Sequence, residues 1–230
     1  MKPLFIVVEA LDGVGKTTLV RGLAERLGGV ARNTPGDALR AVSSQVLGAL
    51  GDDQTARCLF YAASVVAEGR RARRTVDEGG TVVMDRYWLS TVSYARARGV
   101  VQALDDVERC VPAPDVTVLV TLDEAERVRR MDGRGYTVAD RETLAPAFRE
   151  CVHREMNAVG RREALRPTVE VDVTGCDPEA ALDRVLAAVR QSGATREVQS
   201  GNGLHDAGCI GIAAPRCTHD GAAEDVPPDL

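Results

Sequence analysis

The apolar run Leu4-Phe5-Ile6-Val7-Val8 leads directly into Glu9-Ala10-Leu11-Asp12-Gly13-Val14-Gly15-Lys16-Thr17-Thr18, and Leu19, Leu23 and Leu27 then recur at helical spacing. A buried strand, a glycine turn and an amphipathic helix in that order commit the chain to a parallel βα unit. The turn has the composition of a phosphate-binding loop. Its backbone N–H groups and the positive end of the following helix favour a polyphosphate, and glycine removes side chains that would block the approach. Lys2 and Lys16 are the only lysines in a chain that otherwise uses arginine, so composition does not account for the lysine at 16. A compact ammonium suits a phosphate, and Thr17 offers a hydroxyl to magnesium. Ala10 stands where the GxxxxGKT/S pattern has its first glycine. That position closes the strand and leaves the phosphate wrap to Gly13 and Gly15.

Further apolar runs near 81–85, 116–121 and 168–173, with a short one at 30–33, alternate with helical patterns over 17–27, 37–49, 54–78, 88–98, 102–110, 123–131, 143–164 and 177–190. Such alternation builds an α/β fold with a five-stranded parallel sheet flanked by helices, whose ligands collect at the carboxyl ends of the strands. Glu9, Asp85 and Thr121 fall there. A chain of 230 residues with 44% hydrophobic content forms one substantial core. The domain is expected over 1–192 and an acidic, Gly/Ala-rich tail that does not pack over 193–230. That tail carries six acidic residues against two arginines, most of the net charge of −5. The near-neutral body argues against a nucleic-acid polymer as partner. His205, Cys209, Cys217 and His219 in the tail lack the close ligand pairs of a structural zinc site. The six cysteines show no CxxC spacing, and no stretch reaches membrane-spanning length, so the expected setting is a reducing cytoplasm with no membrane partner.

Two other segments carry chemistry. In Thr81-Val82-Val83-Met84-Asp85-Arg86-Tyr87-Trp88-Leu89-Ser90 a strand delivers an acid–base pair at its tip. Asp85 can hold magnesium through water and Arg86 can grip a phosphate; the plainer alternative is a surface ion pair. Arg127, Arg129, Arg130, Arg134 and Arg141 crowd a basic helix end that runs into Gly133 and Gly135. They suit a loop closing over the transferring phosphoryl, or simply a solvated helical face.

Together with Pro35-Gly36, Leu59-Phe60, Ser90, Tyr94 and Pro114-Asp115-Val116, these segments resemble thymidylate kinases in order and spacing over roughly residues 4–190. The resemblance implies a P-loop kinase three-layer sandwich with a mobile lid. It also implies a homodimer that uses ATP and Mg2+ to phosphorylate a pyrimidine deoxynucleoside monophosphate. On that resemblance Lys16, Asp85, Arg86, Arg134 and Arg141 are the expected catalytic groups, with Thr17 and Asp85 at the Mg2+. The donor falls to residues 12–18 and Arg129, and the acceptor to Glu9, Asp12, Pro35, Phe60, Ser64, Arg86, Ser90 and Tyr94. Asp12 would face the sugar, Phe60 would stack on the base and Arg86 would hold the phosphate.

Departures from the family cluster on the acceptor side. Ser64 occupies the place of an arginine that reads the thymine edge, Ala95 that of an amide, and Asn33-Thr34-Pro35-Gly36-Asp37 lacks an acidic residue and a glycine. Modified pyrimidine nucleotides are therefore candidates beside dTMP. Two rival readings fit the same residues. Glu9 could serve as the base of a deoxynucleoside kinase, and the loop could belong to a nucleotide-dependent switch. Asp77-Glu78-Gly79-Gly80 matches a GTPase DxxG string but precedes a strand, and is expected to be a turn. His153 is expected to be structural.

Overall fold

The computed structural model describes residues 2–102, 104–136, 138–162 and 167–194. Its elements in chain order are β1 (Phe5–Glu9), α1 (Lys16–Arg26), β2 (Val30–Asn33), α2 (Asp37–Ala49), α3 (Gln54–Asp77), β3 (Val82–Asp85), α4 (Trp88–Ala97), α5 (Asp105–Glu108), β4 (Val116–Thr121), α6 (Glu124–Arg134), α7 (Val138–Leu144), α8 (Pro146–Gly160), β5 (Thr168–Asp172) and α9 (Pro178–Gln191). The five expected strands all form. They pair in parallel in the order β2-β3-β1-β4-β5. The proposed tail lies outside the described residues from 195 onward, with His205, Cys209, Cys217 and His219.

β1 is central and buried along its whole length, which is why its sequence shows no polar alternation. Leu4, Ile6 and Val8 face one core with Leu19 and Leu23 of α1 and Val185 of α9. Phe5 and Val7 face a second core with Val65 of α3 and Trp88 of α4. Leu27, expected on the α1 stripe, lies past the helix end and is only partly buried.

Three helical expectations change. The stretch 143–164 divides into α7 and α8, because Pro146 has no N–H to give a continuing helix and starts α8 instead. The stretch 102–110 shortens to the single turn α5. Conversely, α6 runs through Gly133 to Arg134 and stops at Gly135, whose φ of 82° leaves the helical region, so most of the expected glycine loop is helix. The Asp77–Gly80 string caps the end of α3: Gly80 N donates to Thr75 O at 2.8 Å and Gly79 has φ 93°.

Register brings Glu9 beside Leu119, Val8 and Asn33 beside Asp85, and Thr121 beside Asp172. The carboxyl ends of all five strands thus form one edge, and the loop at 10–15 lies over it.

Candidate active site

Gly13 (φ 91°) and Gly15 (φ 93°) turn the chain out of β1 and into α1 through left-handed backbone that a β-carbon would strain. A β-carbon on Gly13 would also lie 2.7 Å from Cγ of Met131. Thr18 N and Leu19 N bond back to Gly15 O at 3.1 and 3.2 Å, which starts the helix. A cavity of about 280 Å³ opens over this turn between Gly13, Gly15, Lys16, Thr17, Thr18 and Arg130. A second, of about 240 Å³, adjoins it between Val14, Leu19, Arg130, Cys176, Pro178 and Ala181. The two share Gly15, Thr18 and Arg130, so together they offer a phosphate cradle and a neighbouring slot.

Asp85, at the tip of β3, reaches both loop side chains. One oxygen pairs with the Lys16 ammonium, and Oδ2 accepts from Thr17 Oγ1 at 2.9 Å. Burial and the Arg86 guanidinium push the Lys16 pKa down, while Asp85 works against that shift. A hydroxyl beside a carboxylate is hard-oxygen chemistry that fits Mg2+ completed by phosphate oxygens and water. Among the described residues no cluster of three His, Cys, Asp or Glu could hold a metal ion.

Arg86 is the one described non-glycine residue with positive φ, at 64°. Its guanidinium pairs with Asp12, donates to Ser90 Oγ at 3.2 Å and lies 5.3 Å from the Tyr94 ring centroid. The Tyr94 hydroxyl donates to the other oxygen of Asp12 at 3.3 Å. Burial works against the Asp12 charge, but Arg86 and Lys16 beside it hold the carboxyl below its ordinary range. Burial likewise pushes the Tyr94 phenol up to about 12, so it remains a donor.

Glu9 corrects an expectation. It is fully buried, and its Oε1 accepts from Tyr87 N at 2.9 Å and Ser90 N at 3.2 Å while Oε2 takes the Ser90 hydroxyl. These bonds satisfy the open N–H groups at the start of α4 from a neighbouring strand. Both Glu9 oxygens are thus hydrogen-bonded to the start of α4. Burial raises the Glu9 pKa.

The cavity on the far side of Arg86, about 250 Å³, is lined by Asp12, Arg86 and Tyr94 from the sheet edge and by Arg57, Cys58 and Tyr61 from α3. Ser90 lines it as well, joined by Thr34, Gln54 and Arg98. Besides Glu9, three expected acceptor groups, Ser64, Phe60 and Pro35, do not line it. Ser64 is completely buried with no partner for its hydroxyl. Phe60 does not line this cavity and packs with its ring 5.4 Å from that of Tyr61. Thr34 lines the wall where Pro35 was expected; its hydroxyl donates to Arg86 O at 2.8 Å. Residues 54, 57, 58 and 61 share one helix face, a spacing visible in the sequence, but the rotation of α3 that turns it toward the cleft is not.

The arginine-dense segment also sorts differently. Arg127, 1% exposed, donates to Asp12 O at 2.7 Å and Thr143 O at 3.1 Å and pairs with Glu124, so it fastens α6 and α7 to the phosphate loop. Arg130 donates to Val14 O at 3.0 Å and Cys176 O at 3.2 Å. Arg129 and Arg141 are exposed, and Arg134 ends α6 with its side chain outside the described set. Arg21, Arg32 and Arg40 surround a further polar cavity of about 470 Å³ that also reaches Lys16, Asp85 and Arg86. His153 is half-buried on α8, and burial pushes its pKa down, consistent with packing.

Residues 8–169 match the thymidylate kinase family. A probable thymidylate kinase of Pyrobaculum calidifontis is 30% identical over 197 residues, 82% of this chain and 100% of that protein. A thymidylate kinase of Xylella fastidiosa is 32% identical over 150 residues, 61% of this chain and 68% of its own length. The solved thymidylate kinase of Candida albicans superposes with a TM-score of 0.66 at 18% identity, covering 84% of this chain and 93% of that one. That of Ehrlichia chaffeensis gives 0.62 at 21%, covering 82% and 100%. At those identities the superpositions establish the shared fold, and the family assignment rests on the sequence matches.

Proposed function

This chain belongs to the thymidylate kinase family and is a nucleoside monophosphate kinase; from that premise we propose that it moves the γ-phosphoryl of ATP onto a pyrimidine deoxynucleoside 5′-monophosphate, dTMP or a modified relative. One observation supports the reading above the others. Asp12 borders both the phosphate-loop cavity and the α3 cavity, so a donor chain and an acceptor phosphate brought to these two spaces meet at Lys16 and Arg86.

The reaction asks mainly for alignment and charge neutralisation, because a phosphate acceptor is already ionised. Lys16 and the loop N–H groups hold the donor phosphates. Arg86 gives up Asp12 to take the acceptor phosphate, and Asp12 with Tyr94 then orients the sugar. Mg2+, held through Thr17 and Asp85, would neutralise charge building on the donor oxygens. The slot beside Arg130 and Cys176 suits the donor base, and Arg129, Arg134 and Arg141 are assigned to the lid. Base stacking by Phe60 requires α3 to turn on binding, whereas Tyr61 already borders the cavity.

Neither rival gains support. A deoxynucleoside kinase would need Glu9 free to take a hydroxyl proton, and both of its oxygens are engaged with α4. A switch would use the DxxG string, which is a helix cap. Among the described residues no helix is long and apolar enough to cross a membrane. The proposal includes a cytoplasmic homodimer, which analytical ultracentrifugation would test. The deciding assay measures ADP release with ATP and Mg2+ against a panel of nucleosides and monophosphates. Release that depends on a pyrimidine monophosphate upholds the reading, and release with nucleosides alone overturns it.

A further inference from the structure

We propose that Thr34 is a positioning residue for acceptor binding: it holds the Arg86 backbone in its left-handed turn and thereby aims the guanidinium at the acceptor phosphate. This rests on the monophosphate kinase reading above. The backbone around Arg86 is held from both sides. Arg86 N–H donates to Val8 O at 3.1 Å, and the Thr34 hydroxyl donates to Arg86 O at 2.8 Å. Thr34 N–H donates in turn to the preceding carbonyl, Asp85 O, at 3.1 Å. Thr34 is 8% exposed and borders the acceptor cavity. It follows directly on Asn33, which the strand register sets beside Asp85.

Had α4 begun one residue earlier, Ser90 N–H would reach Arg86 O as an ordinary helical bond. That amide is bound instead to Glu9 Oε1 at 3.2 Å, so the Arg86 carbonyl takes its donor from Thr34. A left-handed backbone costs a residue with a β-carbon about as much as one hydrogen bond returns. Without the hydroxyl, the φ of 64° at Arg86 loses a bond that offsets that cost. The side chain leaves this backbone to reach Asp12 and Ser90 Oγ. A relaxed turn would carry the guanidinium away from the place where an acceptor phosphate displaces Asp12. The family's motif has an acidic residue where this chain has Thr34, and an ionised carboxylate has no proton to give a carbonyl. The clamp is therefore a property of threonine at this position.

The test measures steady-state kinetics of the full-length wild type, Thr34→Val and Thr34→Ser, with ATP, Mg2+ and whichever of dTMP, dUMP and dCMP the wild type turns over best. The nucleoside of that acceptor, which brings no phosphate to Arg86, is titrated as a competitive inhibitor. Valine keeps the shape of threonine and loses the donor; serine keeps the donor. The expected result for Thr34→Val is a rise of about 5- to 30-fold in acceptor KM, with kcat and the KM for ATP within about threefold. The nucleoside inhibition constant should move less than about twofold, and Thr34→Ser should stay within about threefold of the wild type throughout. An unchanged acceptor KM in Thr34→Val, an equal weakening of acceptor and nucleoside, or a serine variant as impaired as the valine one overturns the role of Thr34 while leaving the kinase reading in place. A wild type that turns over none of the three acceptors overturns the pyrimidine reading first, and this inference with it. Should Thr34→Val not fold, Thr34→Ala compared with Thr34→Ser decides.

Discussion

Thr17 donates its hydroxyl to Asp85 Oδ2 at 2.9 Å, which ties the first turn of α1 to the carboxyl tip of β3. The other Asp85 oxygen holds Lys16. One carboxylate therefore presets the phosphate lysine and the proposed Mg2+ hydroxyl together.

Asp85→Asn and Lys16→Ala should each reduce acceptor-dependent ADP release by about 10²- to 10³-fold, the usual scale for losing one preorganised electrostatic group. Thr17→Ala should instead raise the Mg2+ concentration needed for half-maximal rate. Steady-state assays over a Mg2+ series separate the two, and full activity in Lys16→Ala would remove the phosphate loop from the mechanism.

Glu9 gives a prediction with a definite sign. Its folded pKa lies above the ordinary 4.5, so the native state binds that proton more tightly than the unfolded chain. The Glu9 contribution to stability is then greatest below pH 4.5 and declines as pH rises through 4.5 toward the folded value, after which it is flat. Glu9→Gln, which can still accept from Tyr87 N, should remove this slope and keep most of the activity. Glu9→Ala leaves the α4 amides unpaired and should cost about 1–3 kcal/mol. Denaturant titrations across pH check the slope, and abolished turnover in Glu9→Gln would restore the general-base role.

Arg86 sits at φ 64°, where a β-carbon is strained. Arg86→Gly and Arg86→Ala should both suppress turnover, since neither retains the guanidinium. The glycine variant should nevertheless be more stable than the alanine variant by about 1 kcal/mol. Chemical denaturation of the two proteins gives the comparison directly.

Arg127 is buried against Asp12 O, Thr143 and Glu124. Arg127→Met should destabilise the protein by about 1–3 kcal/mol through the acceptors it abandons. The loss should appear as faster hydrogen exchange in α6 and α7, with the centre of the sheet unchanged. Uniformly faster exchange would mean that Arg127 supports the core as a whole.

What the sequence by itself determined is local. The apolar run at 4–8, the paired glycines at 13 and 15 and the Lys-Thr step dictate strand, left-handed turn and helix through interactions within about fifteen residues. The five strands were legible for the same reason. So was the delivery of Asp85 and Arg86 to a strand tip. The tertiary structure decided everything that depends on which neighbour a side chain meets. Glu9 and Arg127 read as chemistry because charge at a strand end or in a basic helix usually faces water, yet the parallel register sets Glu9 under α4 and the docking of α6 sets Arg127 under the loop. The α3 face at 54, 57, 58 and 61 is periodic in the sequence, but the periodicity does not say where along that face the cleft ends: Ser64, one turn beyond Tyr61, is sealed in the core. Packing of Cys58, Ala62 and Val65 with Tyr87 and Trp88 sets the rotation of α3, because burying large apolar surface outweighs the placement of any single polar group.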